Sequence, residues 1–209
     1  MQKAQLIAFC VGLICILSSF NARAQNADIN LLKYINSGVH TGPDKVWRYI
    51  SDKSYLIDAA VPVTLLLCGY HYEYRLLKRD AYAAGASLLV AGAATLVLKE
   101  AIRRDRPATT YPDVITQKTQ ASRYSFPSMH TSMAFATATS LSMAIPKWYV
   151  IAPSFAYAGA IGYSRMYLGT HYPSDVLGGA VVGAGSAYLS WKAQQWLIKR
   201  WERKHPIVY

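Results

Sequence analysis

Apolar residues in this chain gather into long runs instead of alternating with polar ones. A first run, Leu6 to Phe20, opens the chain, and a mixed polar and amphipathic region follows at 25–54. Five further apolar stretches lie at roughly 55–70, 81–98, 130–145, 148–163 and 176–191. Each is near the lower limit of about 17 to 25 residues for a helix that spans a bilayer. They are built from Ala, Gly and Ser more than from Leu, and alternation of the strand kind is poor throughout. The pattern therefore predicts an all-α protein. Within 25–54, "INLLKYIN" and "DKVWRYIS" predict two short helices lying at an interface, with Trp47 and Tyr49 as anchors.

The opening run changes the picture of the ends. Basic Lys3, the apolar run and the small-x-small "ARA" ending at Ala24 make residues 1–24 a secretory signal peptide, cleaved before Gln25. An uncleaved first membrane helix is the alternative. Both carry residue 25 onward to the far side of the inner membrane, leaving a domain over 25–209. From that start the spans alternate so that 71–80, 146–147 and 192–209 fall inside. Those segments hold Arg75, Lys78, Arg79, Lys147, Lys192, Lys199, Arg200, Arg203 and Lys204, as the positive-inside rule asks. A soluble helical bundle is the competing reading, and the charge placement favours the membrane. Gly179-x-x-x-Gly183 predicts a close helix–helix approach.

Composition agrees. Apolar residues make up 53% of the chain and charged residues 16%, against a charged share of about 25% in ordinary soluble domains. The formal charge of +11 calls for an anionic partner. There is no lysine-rich tail or zinc-finger spacing, and the charges are interleaved with apolar stretches, so lipid or phosphate fits better than nucleic acid. Cys10 and Cys15 fall in the leader, which leaves Cys68 alone with no disulfide partner and no Cys pair for zinc. Cys68 is expected as a small buried apolar residue.

With this topology two loops, 99–129 and 164–174, reach the outside and hold nearly all the unusual polar residues. In "KEAIRRDRP", Lys99 and Arg106 are seven apart, which places them on one helix face two turns apart. Pro107 disfavours helix at Arg106, so that guanidinium belongs where helix gives way to loop. A lysine and a planar arginine fork suit a phosphate. Arg103 and Arg104 read as a solvated or headgroup-facing surface. In "SFPSMHTSMAF", Ser128 is a candidate N-cap, and the backbone at Met129 and His130 offers free N–H groups to an anion.

In "SRMYLGTHYPSDVLGG", Pro173 and Asp175 share the first turn of a helix, and His171 stands four residues before Asp175. A carboxylate that accepts one imidazole N–H leaves the other nitrogen free to act as nucleophile or base. Arg165 adds a third cation. Each cluster alone is also explained by headgroup contacts, an ordinary capped helix, or a cap beside an exposed histidine. Together they meet the needs of phosphoryl transfer: cations and N–H groups for the oxygens, a nucleophile, and a second histidine for the leaving group. No acidic pair or triad points to magnesium or zinc, so the cationic side chains must neutralise the phosphate.

"KEAIRRDRP", "PSMH" and "SRMYLGTHYPSD" resemble the three ordered motifs of the type 2 phosphatidic acid phosphatase superfamily, K-x6-R-P, P-S-G-H and S-R-x5-H-x3-D. The resemblance covers Lys99 to Asp175 and implies a histidine phosphatase that needs no metal or other cofactor. It gives Lys99, Arg106, Arg165, Ser128 and the backbone at Met129 to phosphate binding. It makes His171 the nucleophile that forms a phosphohistidine, Asp175 its orienting carboxylate, and His130 the general acid. The membrane spans and the run "YLGTHYPSDVLGG" look more like the lipid phosphatases than the soluble acid phosphatases.

Two departures stand out. Met129 replaces the family glycine, which narrows the pocket or strains the backbone if the position needs positive φ. The family's six-helix core falls to five if the leader is cleaved. The expectation is an integral membrane bundle of five to six transmembrane helices in a bacterial inner membrane. Its site faces the periplasm and acts on a phosphorylated lipid (polyprenyl diphosphate, phosphatidate, phosphatidylglycerophosphate or lipid A), with Tyr111 and Tyr124 as candidate borders of the lipid entrance. The alternatives are a soluble periplasmic acid phosphatase and a non-catalytic lipid-phosphate binder or transporter.

Overall fold

A computed structural model describes residues 21–36, 38 and 41–204. The predicted leader, 1–24, lies for the most part outside the described residues. The chain runs α1 (Asn21–Ile35), α2 (Thr41–His71), α3 (Arg75–Ile102), a short α4 (Pro107–Thr110), α5 (Met129–Ala144), α6 (Trp148–Tyr167) and α7 (Pro173–Lys204). There is no strand among the described residues.

Each of the five predicted apolar stretches falls within one long helix: α2, α3, α5, α6 and α7 in turn. The amphipathic region differs from expectation. Its first helix is α1, but "DKVWRYIS" is no separate element and instead opens the 31-residue α2. No Pro or Gly interrupts the chain between Pro43 and Pro62, and the polar "SDKS" step is absorbed by the helix itself, with Ser54 Oγ donating to the Ser51 carbonyl at 2.8 Å. Trp47 packs against Tyr163 with ring centroids 4.8 Å apart, whereas Tyr49 stays exposed. Cys68 is half-buried, less enclosed than its residue type led one to expect.

α5 is the central helix and touches α2, α3, α6 and α7. It can do so because its contact positions are small: Ala134, Ala136 and Ala138 are buried on it. The glycine pair on α7 makes the closest of these approaches. A Cβ at Gly179 would sit 2.7 Å from the Ser128 carbonyl oxygen, and one at Gly183 only 2.1 Å from that of Ser132. The two helices lie backbone against backbone, one turn of α7 over one turn of α5. Their tops are joined as well, the Ser128 N–H donating to the Asp175 carbonyl at 3.0 Å.

The bundle is small and polar inside, large and apolar outside. Ser87, Thr95, Thr131, Ser132 and Ser140 are buried, while Leu56, Val63, Leu67, Leu89, Val97, Val181 and Leu189 are exposed. The inner hydroxyls bond across helices: Ser87 Oγ to Ser140 Oγ at 2.9 Å, and Thr95 Oγ1 to Ser132 Oγ at 3.0 Å. Close packing of small residues with hydrogen bonds as cross-links, under an apolar outer face, is how helices associate in lipid. By length and composition, one helical run among the described residues, Arg75–Thr110, is apolar enough to cross a membrane.

The α5–α7 approach generates a stability test. Gly183→Val should lower the unfolding midpoint of the detergent-solubilised protein, by about 1–3 kcal/mol in stability, the usual range for overpacking. Gly185, where a Cβ meets nothing within 4 Å, provides the control, and Gly185→Ala should leave the midpoint unchanged or slightly raised.

Candidate active site

Helical phase alone does not bring Lys99 and Arg106 together. α3 stops at Ile102, and Arg103 turns the chain with φ 51° and ψ 37° while its N–H closes on the Lys99 carbonyl. Arg106 then stands extended before Pro107, the first residue of α4. The two cations meet on the opposite loop. Lys99 Nζ donates to the Tyr124 carbonyl at 2.7 Å, and Arg106 Nη2 donates to the same oxygen at 3.1 Å. Lys99 also reaches the Ser125 carbonyl at 3.1 Å. Arg106 also reaches Ser122 Oγ at 3.0 Å and the Thr170 carbonyl. Tyr124 is buried, so its expected place at a lipid entrance is replaced by a backbone role. Tyr111 does line an opening, a cavity of about 160 Å³ shared with Arg104, Asp105, Thr110 and Tyr172.

Ser128 occupies the N-cap position of α5 in extended conformation, but its hydroxyl does not cap the helix. It accepts a hydrogen bond from Thr131 Oγ1 at 2.9 Å instead. Among the described residues no side-chain hydrogen bond covers the first N–H groups of α5, the arrangement that attracts an anion. Met129 begins the helix. Among the described residues only Glu73 and Arg103 are non-glycine residues with positive φ, so Met129 carries no such strain and glycine is not needed there. His130 stacks on Tyr55 of α2 at 4.3 Å between centroids, and its Nδ1 is 3.1 Å from the Tyr55 hydroxyl. Lys99, Arg106, Arg165 and His171 all lie close enough to act on His130 electrostatically.

His171 is 2% exposed. Its Nδ1 faces Asp175 Oδ2 at 3.4 Å, near but outside hydrogen-bond geometry. Its Nε2 faces Arg106 Nη1, also at 3.4 Å. Burial pushes the pKa of this imidazole down to about 3; Asp175 opposes that, and Arg106 and Arg165 reinforce it. The ring is neutral at pH 7. Asp175 accepts hydrogen bonds from the Tyr172 N–H at 2.9 Å, from Ser125 Oγ and from Arg104 Nη1 at 2.8 Å. Burial alone would raise this carboxyl, but His171, Arg104 and Ser125 outweigh it and hold it below the usual carboxylate value. Arg165, in the last turn of α6, donates Nη1 to Ser51 Oγ of α2, while its buried Nε has no partner.

The motif residues thus converge from α3, α5, α6 and α7 and from the loops before α4, α5 and α7. Side chains outside the motifs touch them without any sequence signal of their own, among them Tyr55 at His130, Ser51 at Arg165, Ser122 at Arg106, and Ser125 and Arg104 at Asp175. Arg103 is the solvated residue expected, paired at 4.0 Å with Glu100. Arg104 is not, since its guanidinium bonds Asp175 and Asp28 and lies 3.9 Å from the Tyr172 ring centroid. The alternating charges of "RRDR" hide that Arg104 turns inward beside Arg106. Among the described residues no group of three or more His, Cys, Asp or Glu side chains gathers as metal ligands would.

A helical bundle with an apolar exterior thus holds buried cations and an imidazole backed by a carboxylate, groups whose chemistry suits a phosphate. The chain belongs to the PAP2 superfamily, whose family model matches residues 80–199. It is 38% identical over 104 residues to a decaprenylphosphoryl-5-phosphoribose phosphatase of Mycolicibacterium smegmatis, covering 49% of this chain and 53% of that protein. The chain therefore spans about half the length of that relative. Among solved structures, LpxE of Aquifex aeolicus aligns with a TM-score of 0.65 at 30% identity, over 79% of this chain and 95% of that one. A transmembrane PAP2-type phosphatidylglycerolphosphate phosphatase from Bacillus subtilis shares the fold at TM-score 0.63 and 22% identity, over 97% of this chain and 98% of that one. These neighbours support a membrane location.

The depressed His171 pKa predicts an acid-sensitive fold. An unfolded histidine takes up a proton near pH 6.5, whereas folded His171 resists until about 3. Between those values the unfolded state binds more protons, so stability falls as pH drops. Thermal unfolding measured from pH 7 to 3 should show a declining midpoint, and His171→Asn should flatten the decline. An equal slope in the variant would mean that His171 is not held neutral by burial.

Proposed function

We propose that this protein is a membrane lipid phosphatase. It hydrolyses the phosphate monoester or diphosphate group of a lipid such as a polyprenyl diphosphate, phosphatidate, phosphatidylglycerophosphate or lipid A. The bundle crosses a bacterial inner membrane five or six times, with the site facing the periplasm. The observation that carries the reading is the placement of neutral His171, with Nδ1 towards Asp175 and Nε2 towards Arg106. A binding site needs only cations. An imidazole set between a carboxylate and a phosphate-binding guanidinium is placed for nucleophilic attack.

In this mechanism the phosphoryl oxygens bind Lys99, Arg106, the free Nε of Arg165 and the first N–H groups of α5 at Met129 and His130, beside Ser128. His171 Nε2 attacks phosphorus, the P–O bond to the lipid breaks, and His130 gives a proton to the departing oxygen. Positive charge that grows on the His171 ring is stabilised by Asp175. Water then attacks the phosphohistidine, His130 takes its proton, and the P–N bond breaks to return His171 and release phosphate. Tyr55 suits both steps, because its hydroxyl can donate to neutral Nδ1 of His130 or accept from the protonated ring. The side-chain cations do the work a divalent metal does elsewhere.

A soluble acid phosphatase with the same site is the second reading, and the exposed leucines and valines on α2, α3 and α7 count against it.

The test is phosphate release from detergent-dispersed dioleoyl phosphatidate, farnesyl diphosphate, phosphatidylglycerophosphate and lipid A. At least one should be turned over with EDTA present, and His171→Ala should reduce release by at least about a thousandfold. Full activity in His171→Ala, or loss of activity to EDTA, would overturn the mechanism. His130→Ala should lower kcat by about 10²- to 10⁴-fold, the usual share of a general acid. In Tyr55→Phe, which keeps the stacked ring, a smaller fall in kcat of about tenfold is expected.

A further inference from the structure

Asp28, on α1, is 9% exposed and belongs to none of the motifs. Its carboxylate is saturated. Oδ1 accepts the Ser174 N–H at 2.9 Å, and Oδ2 accepts Ser174 Oγ and Arg104 Nη2, the latter at 2.9 Å. Arg104 in turn spends its other terminal nitrogen on Asp175 Oδ1 at 2.8 Å and on Ser174 Oγ at 2.6 Å. The result is a carboxylate–guanidinium–carboxylate chain that ends on the partner of His171. At its far end α1 is fastened too. Asn36 donates to the Thr116 and Tyr167 carbonyls at 3.0 and 2.8 Å and accepts the Thr116 N–H at 2.9 Å.

We propose that Asp28 is a positioning residue and the counter-ion of Arg104, and that it leaves the charge of Asp175 available to His171. The proposal rests on the reading of His171 as nucleophile. A lone arginine against Asp175 would form a neutral pair, and the imidazole would then face no net anion. With Asp28 present, the three groups together carry one negative charge, and it lies on the His171 side as well as the Asp28 side. That charge matters during attack: as Nε2 bonds phosphorus and the P–O bond to the lipid breaks, positive charge appears on the ring, whose Nδ1 stands 3.4 Å from Asp175 Oδ2. Substrate oxygens are gripped by other side chains, so the charge of Asp28 bears on the chemical step and not on binding.

Charge and shape are separable here. Asp28→Asn keeps the volume and an acceptor for Ser174 but leaves Arg104 to neutralise Asp175. Asp28→Asn with Arg104→Gln removes both charges and returns the net charge around Asp175 to its original value. Steady-state kinetics of phosphate release from dioleoyl phosphatidate and farnesyl diphosphate would be measured for both variants, with the inhibition constant of inorganic phosphate as a check that the pocket is formed. Asp28→Asn should lower kcat by about 10- to 100-fold, as outer-layer partners commonly do, with KM and phosphate inhibition within about threefold of the wild type. The double variant should recover at least part of that loss, which a purely structural role would not allow, since it removes still more hydrogen bonds.

The idea is overturned by an unchanged kcat in Asp28→Asn, by a loss seen only in KM, or by a double variant as slow as or slower than the single one. If Asp28→Asn does not fold, a double variant that folds but keeps less than about a tenth of the wild-type kcat, with the net charge around Asp175 restored, overturns it equally. His171→Ala in the same series separates the two claims. Wild-type activity there rejects the nucleophile, whereas a dead His171→Ala beside an unaffected Asp28→Asn rejects only the role of Asp28.

Discussion

The buried carboxylate of Asp175 is the point on which the site is assembled. It has no solvent exposure, and it receives Arg104 from the end of α3, Ser125 from the long loop and the Tyr172 N–H from its own turn. The backbone carbonyl of the same residue accepts the Ser128 N–H and so fixes the start of α5. A charge this deep is tolerable only when every lone pair is satisfied, and removing one partner of such a group commonly costs about 3–5 kcal/mol. The segments that carry the three motifs are thus obliged to meet where Asp175 is. His171, four residues earlier on the approach to α7, is carried along with them.

The cations are compensated differently, and that difference suits a phosphate. Lys99 and Arg106 are turned toward backbone carbonyls of Ser122, Tyr124, Ser125 and Thr170, not toward carboxylates. Carbonyl dipoles hold an ammonium or guanidinium in place without cancelling its charge. Arg165 is held by a serine hydroxyl and keeps a buried Nε without a partner. The positive charge therefore stays uncancelled there, as binding an anion requires, and Asp175 lies against the histidine. Arg104 is the exception, bound by the carboxylates of Asp28 and Asp175.

Around this polar centre the bundle follows the logic of a low-dielectric solvent. Small residues let α5 and α7 approach backbone to backbone, and hydroxyls such as Ser87, Thr95, Ser132 and Ser140 cross-link the helices where water cannot compete. Rigid helices then deliver Lys99, His130 and Arg165 at fixed heights. The loop from 111 to 128 supplies carbonyls that only an irregular backbone can turn inward. α1 closes the arrangement with Asp28 at one end and Asn36 at the other.

The helical class, the five long apolar helices, the glycine contact at 179 and 183, and the motif residues were all legible in the order of amino acids. These are properties of local spacing: helix-length apolar runs, small residues one turn apart, and side chains whose chemistry is unusual for their surroundings. That order also placed Arg106 outside regular helix, because proline restricts the residue before it. Which way the ambiguous residues face was settled by packing. Arg104 sits in a charge run that reads as solvated, Tyr124 reads as a border of the lipid entrance, and "DKVWRYIS" reads as a separate helix. Each is settled by a partner far away in the chain: Asp28 and Asp175 for Arg104, Lys99 and Arg106 for the Tyr124 carbonyl, and the α6 rings for Trp47. A buried ion or carbonyl takes its direction from the group that satisfies it, and that group is fixed by packing, not by neighbouring sequence.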